Sequence, residues 1–229
     1  MRLRWEIVAL ASFLALATLT ALVVCIGPLP GEWALVRWAL ATRNDALTRV
    51  IWLLTFISSS IPALLICIFV SSVHLARLLE RRTALDAGQI AGTAWPVIAY
   101  FGALACNIAM RIAIGRMRPG VDYIPHGLPE LQADFQRFSY PSGHAGAAVI
   151  AFVALASLSE PHPRLRLPAV LGAMLVIIGA GFGRVYLGVH WPTDVLAGYL
   201  LAIGWVCIGL YLRDKLGKVA RVCPARTPH

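Results

Sequence analysis

Residues 168–212 read PAVLGAMLVIIGAGFGRVYLGVHWPTDVLAGYLLAIGWVCIGLYL, which is two long apolar runs joined by a short polar segment. A helix needs about 20 predominantly apolar residues to cross the hydrocarbon core of a bilayer, and the runs over 168–187 and 193–212 have that length. The ionisable residues at the junction are Arg184, His190 and Asp194. Ionisable side chains in or beside membrane segments cost free energy, so they usually serve a function. The stretch therefore predicts two transmembrane helices with polar chemistry at one membrane surface.

The rest of the sequence has the same apolar character. Of the 229 residues, 59% are hydrophobic and 14% are charged, and the mean hydropathy is +0.75, which excludes an ordinary soluble domain. The length corresponds to one domain, so we predict a single domain over residues 1–229. The apolar segments are residues 5–26, 50–75, 89–110, 143–158, 168–187 and 193–212. We therefore predict an all-α polytopic membrane protein with six transmembrane helices in a bundle. The short fourth helix, which begins with small residues, is expected inside that bundle.

The first apolar segment is predicted to be a permanent helix. Arg2 and Arg4 precede it, as basic residues precede the apolar core of a signal peptide. Its apolar run is longer than such a core, however, and no small-residue cleavage site stands before Gly27 and Pro28. We therefore expect an uncleaved first transmembrane helix.

The distribution of charge predicts the orientation of the bundle. The formal net charge of +9 would by itself be compatible with nucleic-acid binding. With a cytoplasmic N-terminus, however, 12 of the 20 Lys and Arg residues fall in inner segments. Cytoplasmic segments carry an excess of these residues, so we expect both termini in the cytoplasm, a location in the cytoplasmic (inner) membrane and no nucleic-acid partner. The polar motifs, and with them the active site, then lie at the outer membrane face.

Three polar stretches stand at the outer ends of the apolar segments. Their sequences are Arg111-IAIGRM-Arg118-Pro119, Tyr140-Pro141-Ser142-Gly143-His144 and Gly183-Arg184-VYLGV-His190-WPT-Asp194. Together they contain the groups that phosphate chemistry requires, namely cations for the phosphoryl oxygens, a nucleophile and a proton donor. Arginine suits the first task because its planar guanidinium pairs with two phosphate oxygens at once.

Three arginines are candidates for phosphate binding: Arg111, Arg118 and Arg184. Arg111 and Arg118 are separated by about two helical turns, which would place both on one side of a helix that Pro119 ends. For Arg116, between them, we expect a snorkelling side chain at the membrane interface instead.

Residues 141–144 have the pattern of a helix start, because Pro141 and Ser142 precede a long apolar run. The free N–H groups and the dipole at a helix start favour an anion. Gly143 lets the backbone approach a phosphate closely, and Ser142 can donate a hydrogen bond from its hydroxyl. His144 would then lie near the leaving oxygen.

His190 and Asp194 are four residues apart, with Pro192 in the first turn of the next helix. Asp194 can therefore reach one imidazole nitrogen and leave the other free to attack phosphorus. His144, His190 and Asp194 could alternatively form a metal site of two histidines and one carboxylate, although three nearby arginines would repel a cation. The five cysteines are scattered singly and suggest no zinc site. We expect no metal.

In order and spacing these stretches resemble the signature K-x6-R-P, P-S-G-H and S-R-x5-H-x3-D of the type-2 phosphatidic acid phosphatase superfamily. The resemblance runs from Arg111 to Asp194. Two positions depart from it, since Arg111 stands where the family usually has Lys and Gly183 where it usually has Ser. Arg111 keeps the positive charge, whereas Gly183 lacks a hydroxyl that could contact phosphate or support the site.

The resemblance implies a membrane lipid phosphatase that works through a phosphohistidine, without a metal or other cofactor. It implies that His190 is the nucleophile, Asp194 its orienting carboxylate and His144 the general acid. The implied phosphate-binding residues are Arg111, Arg118, Ser142, Gly143 and Arg184. The partners would be the bilayer and a lipid substrate, with undecaprenyl pyrophosphate, phosphatidic acid or phosphatidylglycerol phosphate ranked before lipid A. A lipid phosphotransferase and a non-enzymatic anion or lipid transporter are the alternatives.

Three further expectations concern the connecting segments. Residues 27–49 carry Trp33 and Trp38 and form either a short interfacial helix or a plain loop. Pro62 follows three serines and is expected to kink the second helix, with the serine hydroxyls satisfying freed backbone groups. Residues 120–141 are the longest polar stretch, and residues 128–135 could make amphipathic turns over the site.

Overall fold

The computed structural model describes residues 4–80, 87–119 and 137–222 of the chain. Within these ranges the named helices are α1 (Trp5–Ile26), α2 (Glu32–Ala41), α3 (Asp45–Ile57), α4 (Ser60–Leu79), α5 (Ala87–Ile114), α6 (Gly143–Ser157), α7 (Pro163–Tyr186) and α8 (Pro192–Val222). The described ranges contain no strand, and their β pairing is limited to an isolated bridge between Met117 and Phe138. The all-α prediction is thus confirmed for the part of the chain described here.

Five of these helices are long and apolar enough to cross a membrane: α1, α4, α5, α7 and residues 192–216 of α8. The fourth predicted segment became α6, which has 15 residues. At 1.5 Å per residue such a helix is shorter than the hydrocarbon core of about 30 Å. Its alanines at positions 145, 148, 151 and 154 are completely buried, as expected for a helix inside the bundle. The count of six transmembrane helices stays a prediction.

The last long helix, α8, is the centre of the bundle. In its most apolar window 56% of the residues are buried, against 17–22% in the other four candidate spans. The hydrophobic core brings together Leu16 of α1, Trp95 of α5, Ile150 of α6 and Leu201 of α8. The outward faces keep large apolar side chains exposed, as in Leu175, which is 74% exposed. A surface of that kind suits contact with lipid tails.

The segment predicted over residues 50–75 is two helices rather than one kinked helix. α3 ends at Ile57 and α4 begins at Ser60, so Pro62 stands in the first turn of a new helix, where its missing N–H needs no intrahelical partner. The hydroxyls of Ser58 and Ser59 donate to carbonyl oxygens at the end of α3, each over 2.7 Å. The expected role of the serines is confirmed, but the chain breaks where a kink was predicted.

The segment over residues 27–49 contains the short helix α2, so the helical alternative is confirmed over Glu32–Ala41. Val36 and Ala39, on its inner side, are each 1% exposed, while Trp33 and Trp38 are about half exposed. The helix therefore lies against the bundle with its tryptophans at the edge of the contact, each half exposed. Residues 128–135, for which amphipathic turns were predicted, lie outside the described residues.

Candidate active site

Hydrogen bonds tie the second polar stretch to the first and the third. Arg111 Nη2 and Asn107 Nδ2, both on α5, donate to the carbonyl oxygen of Pro141 over 3.3 and 3.1 Å. The backbone N–H of Ser142 donates to the carbonyl oxygen of Asp194 over 2.9 Å. The start of α6 is therefore anchored between the end of α5 and the start of α8.

The first stretch is not a continuous helix, so the prediction that Arg111 and Arg118 share a helical face was wrong. α5 ends at Ile114, and Gly115 turns the chain with a φ of +61°, a left-handed conformation that favours glycine. Arg118 lies beyond this turn, and its Nη1 donates to the carbonyl oxygen of Val189 over 2.7 Å. Because of this turn, Arg111 contacts the second polar stretch and Arg118 contacts the third.

The third stretch buries its histidine and its carboxylate. His190 is 1% exposed and Asp194 is completely buried, and His190 Nδ1 lies 3.5 Å from Asp194 Oδ2. The same Oδ2 accepts a hydrogen bond from the backbone N–H of Trp191 over 2.8 Å. Gly188, with a φ of +68°, lets the chain turn sharply out of α7 just before this pair. Asp194 therefore faces one side of the imidazole.

The surroundings of His190 keep its imidazole neutral. Burial, followed by the positive charges of Arg118, Arg184 and Arg111, lowers the pKa of His190 well below the ordinary value. A histidine with a lowered pKa stays unprotonated at every pH above that lower value, which includes neutral pH. A neutral imidazole carries a lone pair on one of its two nitrogens, as a nucleophile requires.

The same arginines act on His144. This histidine lies near the start of α6, within electrostatic range of Arg184, His190, Arg118 and Arg111. Arg184 itself is only 7% exposed. Three arginines and two histidines therefore share one poorly solvated region, which attracts an anion and disfavours a cation.

A cavity of about 230 Å³ opens beside the start of α6. Its polar end contains Arg111, Ser142 and His144, and its apolar walls include Leu104 and Ile150. His190, Arg118 and Arg184 are not among the described residues that line it. The cavity combines a cationic end with an apolar interior, as a lipid with a charged head requires.

Two residues of the second stretch leave room for a ligand at the polar end of this cavity. Ser142 Oγ is buried and makes no hydrogen bond within the described ranges. A Cβ at Gly143 would lie 3.8 Å from Arg111 Nη2, so glycine keeps the space between the helix start and the guanidinium open. Both observations agree with the predicted roles of these residues, which stay predictions.

Sequence reasoning missed Arg116 and Glu32. Arg116 was expected to snorkel at the interface, but its side chain is 8% exposed and forms ion pairs with Asp194 over 2.6 Å and with Glu32 over 2.7 Å. The expectation was wrong because two buried carboxylates draw the guanidinium inward. The signal available for Glu32 was a lone acidic residue beside a tryptophan, which is equally typical of the first turn of an exposed helix.

A comparison with protein families agrees with this geometry. The family model described as the PAP2 superfamily matches residues 92–218, which contain all three polar stretches. The chain belongs to the PAP2 superfamily. The expected resemblance is therefore confirmed.

Individual relatives of this PAP2 protein include two curated proteins and one solved structure. An undecaprenyl-diphosphatase of Sulfolobus acidocaldarius is 32% identical over 55% of the chain and 57% of that relative. Phosphatidylglycerophosphatase B of Bacillus subtilis is 35% identical over 42% of the chain and 46% of that relative. The chain thus matches about half the length of these relatives. The crystal structure of a transmembrane PAP2 type phosphatidylglycerolphosphate phosphatase from Bacillus subtilis superposes with a TM-score of 0.66, covering 96% of the chain and 98% of that structure at 22% identity, and so shares the fold.

A metal ion in a protein is usually held by several His, Cys, Asp or Glu side chains. Among the described residues, no group of three or more His, Cys, Asp or Glu side chains has a placement that could hold a metal ion. The alternative site of His144, His190 and Asp194 thus lacks geometric support, and removal of metal ions tests it directly.

The departure at Gly183 has a steric reason in this PAP2 protein. Gly183 is buried in α7, and a Cβ at this position would lie 3.0 Å from Cγ2 of Ile51 on α3. That separation is tighter than ordinary van der Waals contact, so a serine here requires Ile51 to move. The missing hydroxyl is therefore coupled to the packing of α3 against α7.

We expect Gly183→Ser to destabilise the protein rather than improve it. Overpacking of a close-packed site typically costs about 1–3 kcal/mol, so the thermal unfolding midpoint in detergent should fall. Ile51→Leu removes the β-branched methyl group, and the double variant should recover most of the loss. Unchanged unfolding of Gly183→Ser would contradict the steric explanation.

Proposed function

We propose that this PAP2 protein is an integral membrane enzyme, a single domain that hydrolyses the terminal phosphate from a lipid phosphate or lipid pyrophosphate. The observation that carries the proposal is the convergence of three arginines and two histidines beside a cavity with apolar walls. Cations bind the phosphoryl oxygens, and the apolar interior accepts part of the lipid. Undecaprenyl pyrophosphate, phosphatidate and phosphatidylglycerol phosphate are the preferred substrates, with lipid A as the alternative.

In the first step, the free imidazole nitrogen of neutral His190 attacks phosphorus. The bond between phosphorus and the leaving oxygen breaks as the N–P bond forms, and protonated His144 gives its proton to that oxygen. Arg111, Arg118 and Arg184 stabilise the negative charge on the three equatorial oxygens. Asp194 stabilises the positive imidazole ring of the phosphohistidine.

In the second step, water replaces His190. Neutral His144 takes a proton from the attacking water, the N–P bond breaks, and inorganic phosphate leaves with His190 neutral again. His144 thereby regains the proton that it gave to the lipid, so the protons balance over one catalytic cycle. A lipid phosphotransferase would differ only in using an acceptor alcohol in place of water.

The proposed location is the cytoplasmic membrane, with both termini inside and the site on the outer face. The distribution of Lys and Arg supports this orientation. A lipid phosphate at that face would keep its head at the water interface and its tails in the bilayer.

We expect phosphate release in the presence of EDTA from at least one lipid of a defined panel. The panel contains undecaprenyl pyrophosphate, phosphatidic acid, phosphatidylglycerol phosphate and lipid A, each presented in mixed micelles to the detergent-purified protein. The fastest lipid identifies the preferred substrate. Release that is lost with EDTA and restored by a divalent metal would contradict the metal-free mechanism, and release from no lipid would favour a transferase or a transporter.

A further inference from the structure

A buried network of hydrogen bonds and ion pairs lies behind the candidate pair His190–Asp194. Arg116 Nη1 donates to Asp194 Oδ1 over 2.6 Å and to Thr193 Oγ1 over 2.7 Å. Arg116 Nη2 donates to Glu32 Oε2 over 2.7 Å. The other carboxylate oxygen of Glu32 accepts from the N–H and the hydroxyl of Thr193 over 3.0 and 2.6 Å. The side chains of Arg116, Glu32 and Asp194 are at most 8% exposed.

This network converges on the short segment that follows the candidate nucleophile. The network contacts three residues of this segment. Arg116 binds the side chains of Thr193 and Asp194, and its guanidinium also lies 5.1 Å from the centre of the Trp191 ring. Asp194 Oδ1 is occupied by Arg116, and Oδ2 is bound by the N–H of Trp191 and faces His190 Nδ1. The carboxylate is thus fixed at both oxygens, which leaves it one orientation toward the imidazole.

Docking of α2 does not account for the network. Trp33 contacts the Trp191 ring edge-on with centroids 4.7 Å apart, and Val36 and Ala39 bury apolar surface beneath the same helix. Burying a carboxylate and a guanidinium carries a desolvation penalty that can exceed the free energy gained from their attraction. A buried ion pair is therefore weak evidence for a role in stability. In this network each carboxylate oxygen of Glu32 and Asp194 accepts a hydrogen bond, whereas Arg116 Nε has no partner within the described ranges. Buried carboxylates held at both oxygens are restricted to one geometry. The position of the network points to a role at Asp194.

We propose that Arg116 and Glu32 are positioning residues for the catalytic pair. Arg116 holds Asp194 in the orientation that faces His190, and Glu32 holds Arg116 and Thr193 in place from α2. Arginine is required because its fork spans two carboxylates, whereas one ammonium group cannot keep both contacts in the same geometry. The inference rests on the proposed function, since it concerns the rate of attack by His190.

The test compares Arg116→Lys with the matched control Arg43→Lys. Arg43 is exposed on the same side of the protein, and its Nε donates to the carbonyl oxygen of Tyr186 over 3.0 Å, at the end of α7. Residues that hydrogen-bond to and orient the ligands of a metal site typically contribute about 10–100-fold to activity, and we take the same range for residues that orient a catalytic carboxylate. We expect kcat of Arg116→Lys to fall by about that factor with KM changed less than about threefold, and Arg43→Lys to stay within about twofold of wild type.

Single-turnover measurements separate positioning from structure. The best lipid of the panel is mixed with excess enzyme, and both the rate constant of phosphate transfer and the reacting fraction of enzyme are recorded. Positioning predicts a lower rate constant with an undiminished reacting fraction. A smaller reacting fraction with the wild-type rate constant would show a structural role and overturn the proposal.

A second variant covers failure of the first. Glu32→Gln keeps an oxygen that can accept from Thr193 but no longer balances the charge of Arg116, and we expect kcat to fall about tenfold or more by the same reasoning. If Arg116→Lys does not elute as a monodisperse protein, this variant decides by the same two criteria. Wild-type kcat in the variants would overturn the positioning role while leaving the proposed function intact. Absence of wild-type turnover on every lipid would instead refute the proposed function itself.

Discussion

His190→Ala abolishes phosphate release, with an expected loss of about 10⁴-fold or more, comparable to the removal of a nucleophile from a catalytic triad. No other group in the proposed mechanism can form the covalent intermediate. Lipid binding should survive, because the arginines and the cavity walls remain in place. Turnover is measured by phosphate release with the best lipid of the panel, and binding by titration with the radiolabelled lipid in mixed micelles.

His162→Ala is the matched control for this variant. His162 is exposed at the start of α7, and its side chain forms no cap hydrogen bond there. Trapping of the intermediate with the radiolabelled lipid provides the direct evidence. Labelled enzyme should form with wild type and with His162→Ala but not with His190→Ala. Acid should release the label, because a phosphohistidine is acid-labile. Retained turnover in His190→Ala would exclude the covalent mechanism. If no variant released phosphate but the protein still moved lipid or anions across a membrane, the alternative of a non-enzymatic transporter would be favoured.

The transmembrane architecture was predictable because bilayer thickness fixes the length of an apolar segment. The first segment was predicted over residues 5–26 and is the helix Trp5–Ile26. The small residues of α6 also indicated burial correctly, since alanine allows close approach of neighbouring helices. Gly198 on α8 illustrates that packing, because a Cβ there would overlap the carbonyl oxygen of Ser142 at the start of α6.

The breaks within helices were harder to predict because serine and glycine occur both inside helices and at their ends. Ser58 and Ser59 interrupt the apolar pattern, and their hydroxyls bind carbonyl oxygens at the end of α3. The same hydroxyls could have satisfied a kink, so the sequence did not distinguish a kink from a break. In the same way, the spacing of Arg111 and Arg118 fits a helix, but Gly115 ends it after Ile114. A seven-residue spacing in a motif therefore constrains distance along the chain and not a shared helical face.

Arg116 shows why part of the site could not be read from the sequence. An arginine between two motif arginines has no local feature that separates a snorkelling side chain from a buried one. Its partners are 84 residues earlier and 78 residues later in the chain, and their proximity depends on the docking of α2. The residues proposed to bind phosphate follow from motifs, whereas the residues proposed to orient the pair His190–Asp194 follow from tertiary contacts.

His144→Gln should slow lipid hydrolysis by about 10²–10⁴-fold, the usual contribution of a general acid. The lipid of phosphatidic acid or phosphatidylglycerol phosphate leaves as a strongly basic alkoxide and needs a proton, which glutamine does not supply. The prediction therefore applies to these lipid phosphates and not to a lipid pyrophosphate, whose phosphate leaving group is much less basic. Burial and then the three arginines near His144 disfavour a further positive charge there until an anionic phosphate binds, so its protonation depends on the substrate. The measurement is phosphate release under saturating lipid, compared with wild type.

The leaving group decides whether His144 acts as an acid. A nitrophenolate departs without a proton, so with p-nitrophenyl phosphate the first step of His144→Gln should proceed within about tenfold of wild type. Stopped-flow recording should then show a burst of nitrophenol followed by slow turnover, because hydrolysis of the phosphohistidine still lacks its base. His190→Ala is the control and should give no burst. An equal loss with both substrates, and no burst, would place His144 in phosphate binding rather than in proton transfer.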